Sequence, residues 1–125
     1  MNRYRLENIE VVDGDTIKAT IITAKDRPWY NRKIRFLGIG PCEIRVNKRW
    51  TKGLTVTEIR DKLIKGLKAK AKVKELIESA TFVDLESWLE MDSFGRILGI
   101  PIVAMGRDRI DVNMALLNEN LAKVR

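Results

Sequence analysis

The chain contains no histidine. That absence removes histidine general-base catalysis, Ser-His-Asp and Cys-His relays, and histidine-ligated zinc or iron. Its one cysteine, Cys42, permits neither an internal disulfide nor a multi-cysteine zinc site. The expected role of Cys42 is that of a small, partly buried apolar residue. No apolar run approaches the roughly 20 residues that a membrane span needs, so no membrane association is expected. Internal repeats, low-complexity segments and linkers are also absent, which leaves a single domain over 1–125. The N-terminal Met1-Asn2-Arg3-Tyr4-Arg5-Leu6 carries basic residues with no apolar stretch behind them. That is not a secretory signal. A cytoplasmic protein is expected, with a trimmed secreted form as the other possibility. Any chemistry must run on carboxylates, arginines, lysines, tyrosines or a metal held by oxygen.

What remains is a basic, globular composition. Hydrophobic residues make up 45% and charged residues 33% of 125, enough to close one core. Lysine and arginine total 24 against 17 acids, a formal net charge of +7. Such an excess serves either a polyanion or simple solubility. The tetrapeptide Asp13-Gly14-Asp15-Thr16 sets two carboxylates on one tight turn. Asp-Gly is the commonest hairpin sequence. In a basic chain, the pair also suits a hard cation meeting a phosphate.

The patterning gives three strands, a helix, two strands and a helix. Arg5 to Val12 reads as a strand. Ile17, Ala19 and Ile21 alternate with Lys18 and Thr20 as a second. Asp26-Arg27-Pro28 ends it. Lys33 to Ile39 forms the third, with Ile34 and Phe36 on one face and Arg35, Leu37 and Ile39 on the other; Gly38, Gly40 and Pro41 close it. Val46 to Leu54 is basic and irregular, an exposed loop. Thr55 and Glu58 fit a capping box. Behind it Ile59, Leu63, Leu67 and Ala71 recur every four residues, joined by Val73, Leu76, Ile77 and Ala80, as an amphipathic helix of about two dozen residues. Thr81 to Trp88 is the fourth strand and Arg96 to Ala104 the fifth, with Pro101 suggesting an edge. Gly106-Arg107-Asp108 reads as a turn. A short helix runs from Val112 to Asn120, with Asp111 as N-cap and Asn120 as a left-handed stop. This layout predicts a five-stranded OB-fold barrel, with a helix between strands 3 and 4 and a short C-terminal helix.

Four segments, in order, carry a family resemblance. They are Val11-Val12-Asp13-Gly14-Asp15-Thr16-Ile17; Ile34-Arg35-Phe36-Leu37-Gly38-Ile39 with Glu43; Asp92-Ser93-Phe94-Gly95-Arg96-Ile97-Leu98; and Val112-Asn113 through Ala115-Leu116-Leu117 to Leu121-Ala122-Lys123-Val124. Together they span nearly the whole chain, which resembles the staphylococcal nuclease-like (thermonuclease) family. The resemblance implies a calcium-dependent endonuclease that hydrolyses phosphodiester bonds of DNA, RNA or both, and a monomer is expected. Arg35 and Arg96 would hold the phosphate with planar, always-charged forks. Glu43 would orient or deprotonate the attacking water. Asp15 would bind the ion directly, Asp13 on it or one contact away, with the Pro41 carbonyl as a further oxygen ligand.

The chain departs from the family at three places. Gly40 stands where a second metal-binding aspartate belongs, so calcium binding and rate should be weakened. Phe94 replaces a frequent tyrosine. The sequence stops at Arg125, short of the further C-terminal helix of longer members. An alternative therefore stands beside the enzyme: an inactive OB-fold module that binds nucleic acid or a protein partner. Lys48, Arg49 and Trp50, with Phe94, could grip a backbone and stack on a base in either case. The lysines at 62, 65, 68, 70, 72 and 74 read as the solvated side of the helix.

Overall fold

The Asp-Gly turn does join two strands. A computed structural model of the chain describes residues 1–23, 27–40 and 53–124. Strand β1 (Asn2–Asp13) pairs antiparallel with β2 (Thr16–Thr23), which pairs with β3 (Arg27–Phe36). Helix α1 (Val56–Glu78) follows, then β4 (Phe82–Ser87), β5 (Ile97–Met105), β6 (Asp108–Asp111) and helix α2 (Val112–Asn118). β4 pairs with both β1 and β5, and β5 runs parallel to β3. The β3–β5 ladder closes five strands into a mixed barrel of OB-fold type, and β6 extends it as a hairpin on β5.

Register shifts bend the strands, one of them between Val11 and Asp13 at the Asp-Gly turn. β1 slips register between Glu7 and Glu10, where Asn8 takes φ 51°. β3 slips between Arg32 and Trp29, where Asn31 takes φ 50°. Asparagine tolerates the left-handed conformation better than most residues, and a bulge sharpens the local twist. Inside, Ile17, Ile21, Ile34, Phe36, Leu85 and Ile97 are fully buried, and α1 adds Ala69, Val73 and Leu76 to the same cluster.

Thr55 is the N-cap, its Oγ1 accepting from the Glu58 N–H at 3.1 Å. The buried stripe of α1, however, is Gly66, Ala69, Val73 and Leu76, whereas Leu67 is exposed. A strict four-residue repeat turns through about 400° per step, so it drifts around a helix of 3.6 residues per turn. β3 starts at Arg27 rather than Lys33, because Pro28 and Trp29 pair with Ile22 and Ile21. Ile39 does not share a face with Arg35. The strand ends at Phe36, Gly38 turns the chain at φ 82°, and Ile39 is buried and bridges Val124. Pro101 stands where one flank of β5 is locally an edge, although the strand is paired on both sides elsewhere. On that flank of β5 the β3 pairing ends at Gly99 and the β6 pairing begins at Ile102, so the missing N–H falls between two partners. β6 occupies residues read as a turn and its exit. Asp111 caps α2 through Met114 N–H at 3.0 Å, and Asn120 takes φ 56° just beyond it.

Candidate nucleic-acid interface

Strand registers decide which charged side chains share a face. Ile34 and Phe36 point into the core, so Lys33 and Arg35 point outward. Lys18 pairs with Lys33, and Thr16 with Arg35. On the other flank Ile34 pairs with Ile97, which is buried, so Arg96 stands beside Lys33 on the outer face. Lys18, Lys33, Arg35 and Arg96 thus lie on one outer surface spanning β2, β3 and β5. Lys33, Phe94 and Arg96 line a shallow recess of about 320 Å³ in it. From strand spacings, the Arg35 and Arg96 backbones lie roughly 8 Å apart.

The two arginines are held differently. Arg35 Nη2 donates to the Ile39 carbonyl at 3.3 Å, so its guanidinium lies against the peptide that leads into Gly40. Arg96 Nε donates to Asp92 Oδ2 at 2.7 Å, on the flank of β5 away from β3. Asp92 also organises the turn before it. Its Oδ1 accepts from the N–H groups of Phe94 and Arg96, both at 2.9 Å, and Gly95 takes φ 78°. Partial burial would raise the Asp92 pKa; the backbone donors of Arg96 and Phe94 and the Arg96 guanidinium outweigh it and hold the carboxyl below its usual range. Phe94 is 82% exposed, with the Arg96 guanidinium 5.5 Å from its ring centre.

The acid-rich turn sits at the end of this surface. Asp13 pairs with Thr16 in the β1–β2 register, and Thr16 pairs with Arg35. Asp15 is buried; its Oδ1 accepts from Thr16 Oγ1 at 3.0 Å, and its carbonyl accepts from Phe36 N–H at 2.8 Å. Asp13, Thr16 and Arg35 therefore lie side by side across β1, β2 and β3, while Asp15 sits in the turn with its backbone against Phe36. Arg96 lies on the same outer face, though its fork turns toward Asp92. Glu43, the Pro41 carbonyl, Lys48, Arg49 and Trp50 lie outside the described residues, as does Cys42.

Among the described residues, no group of three acidic or cysteine side chains forms a metal cluster. Calcium takes six to eight oxygens, and Asp13 with Asp15 fall short of that set by themselves. No helix among the described residues is long and apolar enough to cross a membrane.

No protein-family model matches the chain, and no curated protein matches it.

The likeness to thermonucleases therefore rests on the motifs quoted above and on a barrel of OB-fold type. Sequence reasoning overlooked Asp92 as the carboxylate that fixes Arg96, and Lys18 and Lys33 as its cross-strand companions. Lys33 was findable, because it stands two residues before Arg35 on the same strand and so on the same face. Asp92 was findable too, four residues before Arg96 in a turn whose third residue is exposed.

Proposed function

We propose that this barrel binds a nucleic-acid strand across the outer surface of β2, β3 and β5. One observation carries the reading: the registers Lys18 with Lys33 and Ile34 with Ile97 set four cations on a single face. A phosphate backbone meets such a row by releasing its counterions, which makes affinity fall steeply with salt. Phe94, exposed beside Arg96, offers a ring on which a base can stack. OB-fold barrels commonly present this part of the sheet to oligonucleotides. The charge-reversal variant Lys33→Glu tests it. Labelled single strand should bind the variant at least 10-fold more weakly, with a salt slope shallower by about one or two. Reversing Lys70 on α1 should change little. Equal losses from the two variants would remove the face-specific reading and leave only net charge.

Phosphodiester hydrolysis is the second reading, favoured by Asp13 and Arg35 lying on either side of Thr16, with Asp15 in the turn that joins β1 to β2. In it Arg35 and Arg96 would neutralise the phosphoryl oxygens and Glu43 would handle the water; Asp13 and Asp15 would contribute to holding calcium, which would supply further positive charge. Among the described residues, a Cβ on Gly40 would meet the Lys123 carbonyl at 3.4 Å and the Lys123 Cβ at 4.0 Å, both ordinary contacts. The variant Gly40→Asp should therefore fold, and should raise both calcium affinity and cleavage rate. The rate gain expected by analogy is about 10²–10³-fold, what one electrostatic stabiliser supplies. Cleavage that is absent in wild type and variant alike, with calcium and with chelator, would discard hydrolysis and keep the binding module.

A further inference from the structure

We propose that Trp88 is a second base-stacking platform, which selects single-stranded over duplex nucleic acid at the β4–β5 loop. This rests on the nucleic-acid reading above and adds the strand state of the ligand.

The β4–β5 hairpin carries a register offset that the fold maintains. The two strands pair regularly as far as Glu86 with Ile100. Beyond that, Leu98 N–H donates to the Glu90 carbonyl at 2.9 Å and Met91 bridges Ile97. Three residues, 87–89, therefore stand opposite Gly99 alone. Such a bulge re-aims a side chain. Here it is locked by Ser87, fully buried, whose hydroxyl donates to the Leu98 carbonyl at 2.6 Å and accepts from Leu89 N–H at 2.8 Å. Leu89 takes φ 59°, a conformation that leucine holds only where its surroundings impose it. Its side chain still packs against the core. The residue released by this arrangement is Trp88, 61% exposed.

A lone exposed apolar side chain needs no explanation. A tryptophan exposed by a strained, hydroxyl-locked bulge does, and charge indicates its occupant. The same loop carries exposed Phe94 and leads into Arg96, with Lys33 beside it. Glu86 is paired with Arg3 and Asp92 with Arg96, which leaves Lys33 to meet the phosphates on this side. Glu90 remains exposed next to the bulge. A neutral base face tolerates that acid where a phosphate would not. The loop thus suits a strand whose phosphates follow the cations and whose unpaired base turns onto Trp88. A duplex keeps its bases stacked inside and has none to offer.

Binding of an oligothymidylate and of a duplex of equal length to the full chain tests this. Trp88→Ala should weaken single-strand binding about 5- to 150-fold, the range for losing one base–aromatic stack, and should change duplex binding less than about twofold. Trp88→Phe should restore most of the loss. In a chain carrying Trp29→Phe and Trp50→Phe, Trp88 is the sole tryptophan. The single strand should quench its emission with the platform intact, which reads the contact even where Trp88→Ala folds poorly. Tight wild-type binding with unchanged affinity in Trp88→Ala, or unquenched emission at saturation, overturns the proposal and leaves the basic face standing. A wild-type chain that binds neither strand overturns both.

Discussion

Asp92 shows how much one short side chain can settle. Its two oxygens collect three donors, two backbone N–H groups and the Nε of Arg96. The turn, the start of β5 and the direction of the Arg96 fork all depend on it. Because these donors favour the charged form, the folded pKa lies below the unfolded value. The stability that Asp92 contributes is then complete above the unfolded carboxylate value of about 4, and is lost as pH falls through the lower, folded value. Asp92→Asn keeps the acceptor for the backbone donors but cannot titrate. Urea unfolding at neutral and at strongly acid pH should show a smaller loss of stability on acidification for Asp92→Asn than for wild type. Equal losses would mean that the carboxylate is not coupled to folding. Arg35 carries the other residue-scale expectation, within the hydrolysis reading: Arg35→Lys keeps the charge but loses the planar fork, so cleavage should still fall.

Among the elements, the β4–β5 hairpin is built around Gly99. A Cβ there would stand 2.6 Å from Leu85 Cδ1 and 3.0 Å from the Glu86 carbonyl, and Leu85 is fully buried with nowhere to retreat. Gly99→Ala should therefore destabilise the chain by about 1–3 kcal/mol, the usual cost of overpacking. Thermal or urea unfolding reads it, and an unchanged midpoint would contradict the close approach of the two strands. The same hairpin shows what could and could not be read in advance. The Asp13–Thr16 turn, the Thr55–Glu58 cap and the outward side of Arg35 were legible, because each depends on a few consecutive residues and a fixed periodicity. The bulge at 87–89, the pairing of Pro28 and Trp29, and the conversion of Asp108–Asp111 into β6 were not. Each is imposed by pairing with the neighbouring strand of a hairpin, where the partner's register overrides local propensity. The helix stripe was legible at Val73, Leu76, Ile77 and Ala80 but not at Leu67 and Ala71, because a repeat of four residues drifts away from the helical period.

At the scale of the whole molecule, closure of the barrel creates the candidate site. Without the parallel β3–β5 ladder, Arg96 would have no fixed relation to Lys33 or Arg35. With it, Lys18, Lys33, Arg35 and Arg96 share one face. The lysines of α1 remain the competing basic surface; one of them, Lys72, is already engaged with Glu119 at 3.3 Å. The most direct test is a map of amide chemical-shift changes as a short single-stranded oligonucleotide is titrated into the isotopically labelled chain. The changes should centre on Lys18, Lys33, Arg35, Phe94 and Arg96, and should diminish as salt is raised. Changes centred instead on the α1 lysines, or none at saturating oligonucleotide, would contradict the assignment of this face.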